Sequence, residues 1–261
     1  MNDIAVLGLG HMGAAIAGRL AAAGHRVAGW NRTAKAPISG VRLVDDLAEV
    51  DAEVVITMLT DGDAVEGVLA KLAPRRGTVV VDMSTIGPDA VRRIAAGLPA
   101  GVGLVDAPVG GSVGAAAGGT LRIFVGGADG DVERVEPILT ALGRVRRCGG
   151  PGAGAAVKLV LNTALVTAVA ALADALTVAE AVGLDREDAV SVLRDSPLAV
   201  AAERTLVPGG PAAHFSNALA AKDVDLAIAA TGAGLPMAAA ARAVLARALP
   251  DEDLSTLVRN A

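Results

Sequence analysis

The 261-residue chain has one cysteine, three aromatic residues and no tyrosine, and its 28 acidic side chains outnumber its 23 basic ones. A single thiol, Cys148, can close neither an internal disulfide nor a thiolate metal site, which points to a reducing compartment. No His/Cys/Asp cluster has metal-ligand spacing, so no metal is expected. A formal charge of −5 without clustered Lys/Arg argues against nucleic acid as a main partner. The scarcity of aromatics also removes the stacking platforms of single-strand binders. No basic segment precedes the first apolar run, and residues 159–173, the longest charge-free stretch of helical character, fall short of the roughly 20 residues a membrane span needs. A soluble, cytoplasmic protein with no membrane partner is expected. What the chain does have is apolar content, 53% against 20% charged, together with 32 glycines. That excludes a disordered chain, and the length suffices for one or two packed domains.

Two textures divide the sequence. In the first half, β-branched runs at residues 4–7, 26–30, 53–58, 78–82, 103–106 and 122–125 are bounded by Gly, Pro or Asp and predict strands. Between them, residues 12–23, 64–72, 88–96 and 130–142 carry helical periodicity, with Pro88 in a first turn and Gly143 past a helix end. This alternation predicts an α/β fold with a doubly wound, mostly parallel sheet covered on both faces. After Gly149-Gly150-Pro151-Gly152 the β-branched clusters disappear. A long apolar helix over 154–182, with shorter ones at 186–194, 218–231, 237–247 and 254–258, predicts an all-α second domain, so the expected domains are 1–150 and 151–261. The long helix carries more apolar surface than about 110 residues of its own domain can cover. A homodimer or tetramer formed through 154–182 is therefore expected.

Gly8-Leu9-Gly10-His11-Met12-Gly13 directly follows the first strand and opens a helix. The first glycine permits a tight turn, the second lets backbone approach a pyrophosphate, and the third lets helix pack on strand. Strand, helix and placement agree with a dinucleotide site, in which His11 lines the loop. At the end of the second strand a carboxylate would mark NAD; here stand Asn31-Arg32-Thr33 with Lys35 close behind, and the next acid is Asp45. A guanidinium, a hydroxyl and an ammonium suit a 2′-phosphate, so NADP(H) is preferred and NAD(H) remains possible. A solvated turn with an incidental arginine would read the same way. Met58-Leu59 and Thr85 follow the next two strands, where ligands of such sheets gather; Leu59 could pack on a cofactor and Thr85 bond near its nicotinamide, or both could be ordinary loop residues.

Lysine is scarce: Lys35, Lys71, Lys158 and Lys222, against nineteen arginines. Lys158 lies in the first turns of the long apolar helix, where a desolvated ammonium can exchange a proton. Asn162 stands four residues on, hence on the same face. A lysine stem snorkelling from a helix start, with a satisfied interior asparagine, fits that spacing equally. Asp106-Ala107-Pro108-Val109 leads into Gly110, Gly111 and Ser112, where bare N–H groups could form a nest for a carboxylate; a plain glycine-rich connection is the alternative. Lys222-Asp223 lies within a later helix, either over a ligand or as a surface charge pair.

Taken in order, these motifs resemble the β-hydroxyacid dehydrogenases. The resemblance covers the whole chain and rests on Gly8–Gly13, Asp82-Met83-Ser84-Thr85, Asp106-Ala107-Pro108-Val109 with Gly119-Thr120-Leu121, Gly152-Ala153-Gly154 leading to Lys158 and Asn162, and Lys222-Asp223. It implies a Rossmann-type domain followed by an all-helical one. It implies Lys158 as catalytic acid/base, Asn162 as a substrate ligand, and the backbone around Gly110–Ser112 as the seat of a substrate carboxylate. Thr85 and Lys222 would meet the nicotinamide end, and the Asn31-Arg32-Thr33 turn is similar to that of NADPH-using relatives. Two departures stand out: Gly110 occupies a position where the family carries serine, and residues 34–44 leave little room for the usual helix after the second strand. The expected activity is hydride transfer between NADP(H) and a small β-hydroxy acid or its semialdehyde. An imine reductase on the same fold and an inactive NADP-binding protein are the alternatives; the lysine at position 158 speaks against the first.

Overall fold

The computed structural model describes residues 1–206, 215–232 and 234–259. They form two compact units, Met1–Lys158 and Leu159–Ala261.

The first unit is a sheet of strands β1 (Asp3–Leu7), β2 (Arg26–Trp30), β3 (Val41–Val44), β4 (Val54–Thr57), β5 (Val79–Asp82), β6 (Gly103–Asp106), β7 (Val109–Gly110), β8 (Leu121–Gly127) and β9 (Gly143–Gly149). The order β3-β2-β1-β4-β5-β6 is parallel throughout. This is the doubly wound order in which the chain reverses direction beside β1. β8 then runs antiparallel to β6 and β7 along one edge and parallel to β9 along the other. Helices α1 (His11–Ala22), α2 (Gly62–Leu72), α3 (Pro88–Gly97), α4 (Val113–Gly118) and α5 (Asp129–Leu139) connect the strands.

Period-two alternation assigns each strand residue to a face. Ile4, Val6, Ile56, Val81, Val105, Ile123 and Val125 bury against Ile16 and Leu20 of α1 and Val132, Val135 and Leu139 of α5. The opposite face takes Val80 and Leu104 with Val65 and Leu69 of α2 and Ile94 of α3, and Ala5, Leu7 and Val55 pack beside them. Both faces are dry, which is why these strands read as continuous apolar runs.

Residues 31–40 cross from β2 to β3 without a helix. Ile38 packs against the core beside α1, where a hypothetical Cβ on Gly18 would lie 3.5 Å from its Cγ2. Val41 and Leu43 of β3 pack on the same core.

The second unit is helical. α6 (Ala153–Ala181) begins in the first unit and runs on into the second, followed by α7 (Arg186–Arg194), α8 (Ala199–Thr205), α9 (Asn217–Thr231), α10 (Pro236–Leu245) and the short α11 (Thr256–Arg259). Val166, Val169, Leu172 and Leu176 of α6 pack with Ala201 and Ala202, Ala220 and Val224, Ala238, Ala241 and Leu245. By length and composition α6 could cross a membrane, with a mean hydropathy of 1.9 over its most apolar window. Its interior stripe instead forms the core of the second unit, and it carries the buried polar Asn162. Val160, Val178 and Val182 remain exposed along and just beyond it.

Candidate active site

The turn after β1 fits a dinucleotide for reasons that can be read atom by atom. Gly8 has φ +100°, and a Cβ there would sit 2.4 Å from the Met58 carbonyl oxygen. A Cβ on Gly13 would sit 1.9 Å from the Gly8 oxygen, so helix and strand meet only through glycine. Over Gly10, by contrast, there is nothing within 4 Å. Gly10 caps α1 without a side-chain hydrogen bond, and no acid stands in the first turn. Open space beside uncapped helical N–H groups is what a pyrophosphate requires.

Around this turn the loops are tied together. Leu9 is buried and donates its N–H to Asn31 Oδ1 at 2.9 Å, while Asn31 Nδ2 donates to the carbonyl and hydroxyl oxygens of Thr33 at 2.9 and 3.0 Å. Asn31 therefore couples the glycine turn to the end of β2. Arg32, Thr33 and Lys35 are exposed beyond it, as is His11, whereas Met12 packs on the core. Half-buried Met58 and Leu59 abut Gly8, and the Leu59 N–H donates to Ser84 Oγ at 2.9 Å. Half-buried Thr85 follows. The structure thus gathers the loops after β1, β2, β4 and β5; Ser84, which joins two of them, gave no signal in the sequence beyond its place in a motif.

A row of buried polar groups crosses the same end of the sheet. Thr57, Asp82 and Asp106 end three adjacent strands and share the face of α2 and α3. Thr57 Oγ1 donates to Asp82 Oδ1 at 2.8 Å, while Asp82 Oδ2 is buried without a hydrogen bond. Burial pushes the Asp82 carboxyl above its ordinary range, and the neighbouring Asp106 charge adds to this. Asp106 accepts from the N–H groups of Gly152 and Ala155, each at 2.7 Å, at the start of α6. Burial raises its pKa too, against the opposing pull of those donors. A Cβ on Gly126 would strike Asp106 Oδ1 at 2.6 Å, and one on Gly154 the Phe124 oxygen at 2.1 Å. The beginning of α6 is thus seated on the sheet by a carboxylate cap between two glycines.

That seat determines where Lys158 points. Its Nζ donates to the carbonyl oxygen of Val109 at 2.8 Å, on the segment that starts at Asp106. Gly110 follows in β7, Gly111 has φ +145°, and Ser112 caps α4, its Oγ accepting from the Ala115 N–H at 3.2 Å.

In the second unit, Asn162 is buried and donates through Nδ2 to Asp223 Oδ2. Lys222 Nζ lies 2.9 Å from Asp223 Oδ1. Lys222 also lines an open groove of about 640 Å³ between α9 and α10, with Asp225 and Arg242. The Asn162–Asp223 bond was invisible in the sequence, where the two residues stand 61 positions apart.

A parallel sheet of this order with a glycine-only phosphate turn defines a dinucleotide-binding domain of the kind that holds NAD(P). Residues 3–150 match the NAD binding domain of 6-phosphogluconate dehydrogenase, and residues 152–260 match the NAD-binding domain of NADP-dependent 3-hydroxyisobutyrate dehydrogenase. The chain is 36% identical to a probable 3-hydroxyisobutyrate dehydrogenase of Mycobacterium bovis, over 96% of this chain and 94% of that protein. It is 35% identical to an NAD-dependent L-serine dehydrogenase of Pseudomonas aeruginosa, over 75% and 70%. A solved structure of Mycobacterium tuberculosis 3-hydroxyisobutyrate dehydrogenase with L-serine superposes with a TM-score of 0.84 at 34% identity, covering 100% of this chain and 99% of the other. The chain belongs to the β-hydroxyacid dehydrogenase family.

Proposed function

We propose that the protein interconverts a short β-hydroxy acid and its semialdehyde, with NADP(H) preferred over NAD(H). The observation that carries this reading is the Lys158 ammonium, 2.8 Å from the Val109 oxygen on a helix start that Asp106 clamps. A bound nicotinamide supplies or accepts the hydride. Lys158 gives a proton to the carbonyl oxygen during reduction and takes it from the hydroxyl during oxidation. The backbone at Gly110, Gly111 and Ser112 receives the substrate carboxylate, Asn162 binds the substrate, and Thr85 and Lys222 serve the nicotinamide end. Fixing an acid by its carboxylate orients the reacting carbon, a positioning effect that contributes a large part of the barrier reduction.

The NADP preference rests on exposed Arg32, Thr33 and Lys35 at the end of β2, with no acid before Asp45. Gly8, Leu9, Gly10, His11, Met12 and Gly13 form the pyrophosphate turn, and Asn31, Met58 and Leu59 complete the walls. In this reading residues 1–150 bind the cofactor and 151–261 serve substrate and self-association. The apolar face of α6 at Val160 and Val178 is covered by a second copy, and the enzyme works in the cytoplasm.

The test is Lys158→Ala. Turnover should fall by about 10²–10⁴-fold while NADPH affinity, measured by fluorescence titration, stays near wild type. Parallel loss of both would assign Lys158 to the cofactor or the fold instead.

A further inference from the structure

β7 and β8 pair antiparallel with Gly110 opposite Arg122. Residues opposite one another share a face, so the Arg122 side chain and the open side of Gly110 point the same way. A Cβ on Gly110 would meet Arg122 Nη2 at 3.4 Å and Nε at 3.5 Å, together with the ring edge of Phe124 at 3.4 Å. The guanidinium thus lies beside the open side of Gly110, at contact distance from where a side chain would begin. Arg122 is exposed, and among the described residues it has neither a hydrogen-bond nor an ion-pair partner. One residue earlier, the Val109 carbonyl holds the Lys158 ammonium. Arg122, Phe124 and Gly126 share the face on which α6 starts, as the approach of Gly154 to Phe124 and of Asp106 to Gly126 requires. Arg144 lies opposite Arg122, and Arg146 opposite Phe124, on that same face. A chain with a net charge of −5 thus gathers Arg122, Arg144 and Arg146 on one face of β8 and β9.

We infer that Arg122 is a specificity-determining residue whose guanidinium receives the acidic group of the substrate across Gly110. The inference rests on the reading of Lys158 and Gly110–Ser112 as the substrate site and deepens it. Its planar fork presents two parallel N–H groups to an oxyanion, a geometry that suits a carboxylate or a sulfonate and that an ammonium cannot reproduce. With the acid held at Arg122 and the ammonium at Val109, substrates are selected for an anionic group close to the reacting oxygen. An uncharged alcohol of the same length gains nothing from the guanidinium.

The test is calorimetric binding of 3-hydroxypropanoate, and of its uncharged counterpart propane-1,3-diol, to the protein loaded with NADP+. Arg122→Ala should weaken binding of the acid by about 10- to 100-fold, without changing the affinity for the diol or for NADP+. Arg122→Lys should recover part of the loss, because charge survives and the fork does not. Wild-type affinity of Arg122→Ala for the acid overturns the inference, as does a wild-type protein that binds the acid no better than the diol. If those results occur while Lys158→Ala still abolishes turnover, only the role of Arg122 falls. If Lys158→Ala keeps full turnover, the reading of the whole site falls with it.

Discussion

Two glycines of one turn should respond to the same methyl group in opposite ways. At Gly13, helix propensity favours alanine by about 1 kcal/mol. Against that, the new Cβ would stand 1.9 Å from the Gly8 carbonyl oxygen. Gly8 cannot retreat, because its own far side faces the Met58 oxygen at 2.4 Å from where a Cβ would project. Overpacking against immobile backbone costs about 3 kcal/mol or more at so short a distance, so Gly13→Ala should lose about 2 kcal/mol on balance, with Tm lower by about 4–8 °C. Displacement of α1 should weaken NADPH binding as well. At Gly10 a methyl meets nothing within 4 Å. Ala in place of Gly at a cap costs no more than about 1 kcal/mol, so the Tm of the cofactor-free protein should fall by at most about 2–4 °C. The methyl enters the space left for the pyrophosphate, and loss of about 1.4 kcal/mol or more there means at least a tenfold weaker Kd. Thermal melts without cofactor and fluorescence titration with NADPH separate the two effects. Wild-type NADPH affinity in Gly10→Ala would show that the open space is not the cofactor's. A raised Tm in Gly13→Ala would refute the close approach of helix and strand.

Replacing Arg32 by alanine should raise KM for NADPH about tenfold or more, through loss of a charge-assisted contact, and leave KM for NADH unchanged; an unaltered cofactor preference in steady-state kinetics contradicts the 2′-phosphate assignment. Asp82 has a folded pKa above its unfolded value of 3.8 because it is buried. The folded state therefore holds the proton more tightly, and this contribution to stability is complete below pH 3.8 and is lost as pH rises through the raised value. Asp82→Asn, which cannot ionise, should gain stability relative to wild type as pH rises from about 4 towards neutral; a difference in melting temperature that is flat or shrinks over that range refutes it. Light scattering at micromolar concentration should give at least twice the chain mass, and Val178→Glu on the exposed stripe of α6 should lower it; a monomeric wild type removes the proposed self-association.

Much of the architecture was legible because burial on both faces writes strands as apolar runs. Residues 4–7, 26–30, 78–82 and 103–106 all correspond to strands, and α7 falls at 186–194 as the periodicity predicts. What escaped was polar or featureless. β9, with the sequence Gly-Arg-Val-Arg-Arg-Cys-Gly, is an edge strand with three arginines and only Val145 packing inward. Gly143, read as the stop after a helix, instead opens this strand, and α5 already ends at Leu139. β3 is four residues with an arginine inside, α4 is built largely of alanine and glycine, and β7 is too short for any pattern. The glycine turn and Lys158 were visible as types at a spacing. Asp106 and Arg122 were not, because their roles come from strand register: one lies beside Asp82, the other opposite Gly110.

Register also explains how a sheet can aim a single ammonium. Thr57, Asp82, Asp106 and Gly126 stand level across β4, β5, β6 and β8 on one face. A shift of any strand by one residue would turn that strand's member of the row to the other face. Their polar atoms would then be buried among valines, so the apolar cores on both faces enforce the register that the polar row needs. At the end of the row Asp106 takes two N–H groups of α6, and three residues later Val109 takes the Lys158 ammonium. Helix start and helix side chain are thus fixed by one short segment of β-structure. Small errors in the rest of the helix cannot accumulate at Lys158, because only one turn and a half separates it from its anchor. The cost is a buried carboxyl pair in which burial opposes ionisation of both members. A well-packed apolar pair would make the sheet more stable, but it would leave the first N–H groups of α6 without an acceptor and the position of Lys158 undetermined.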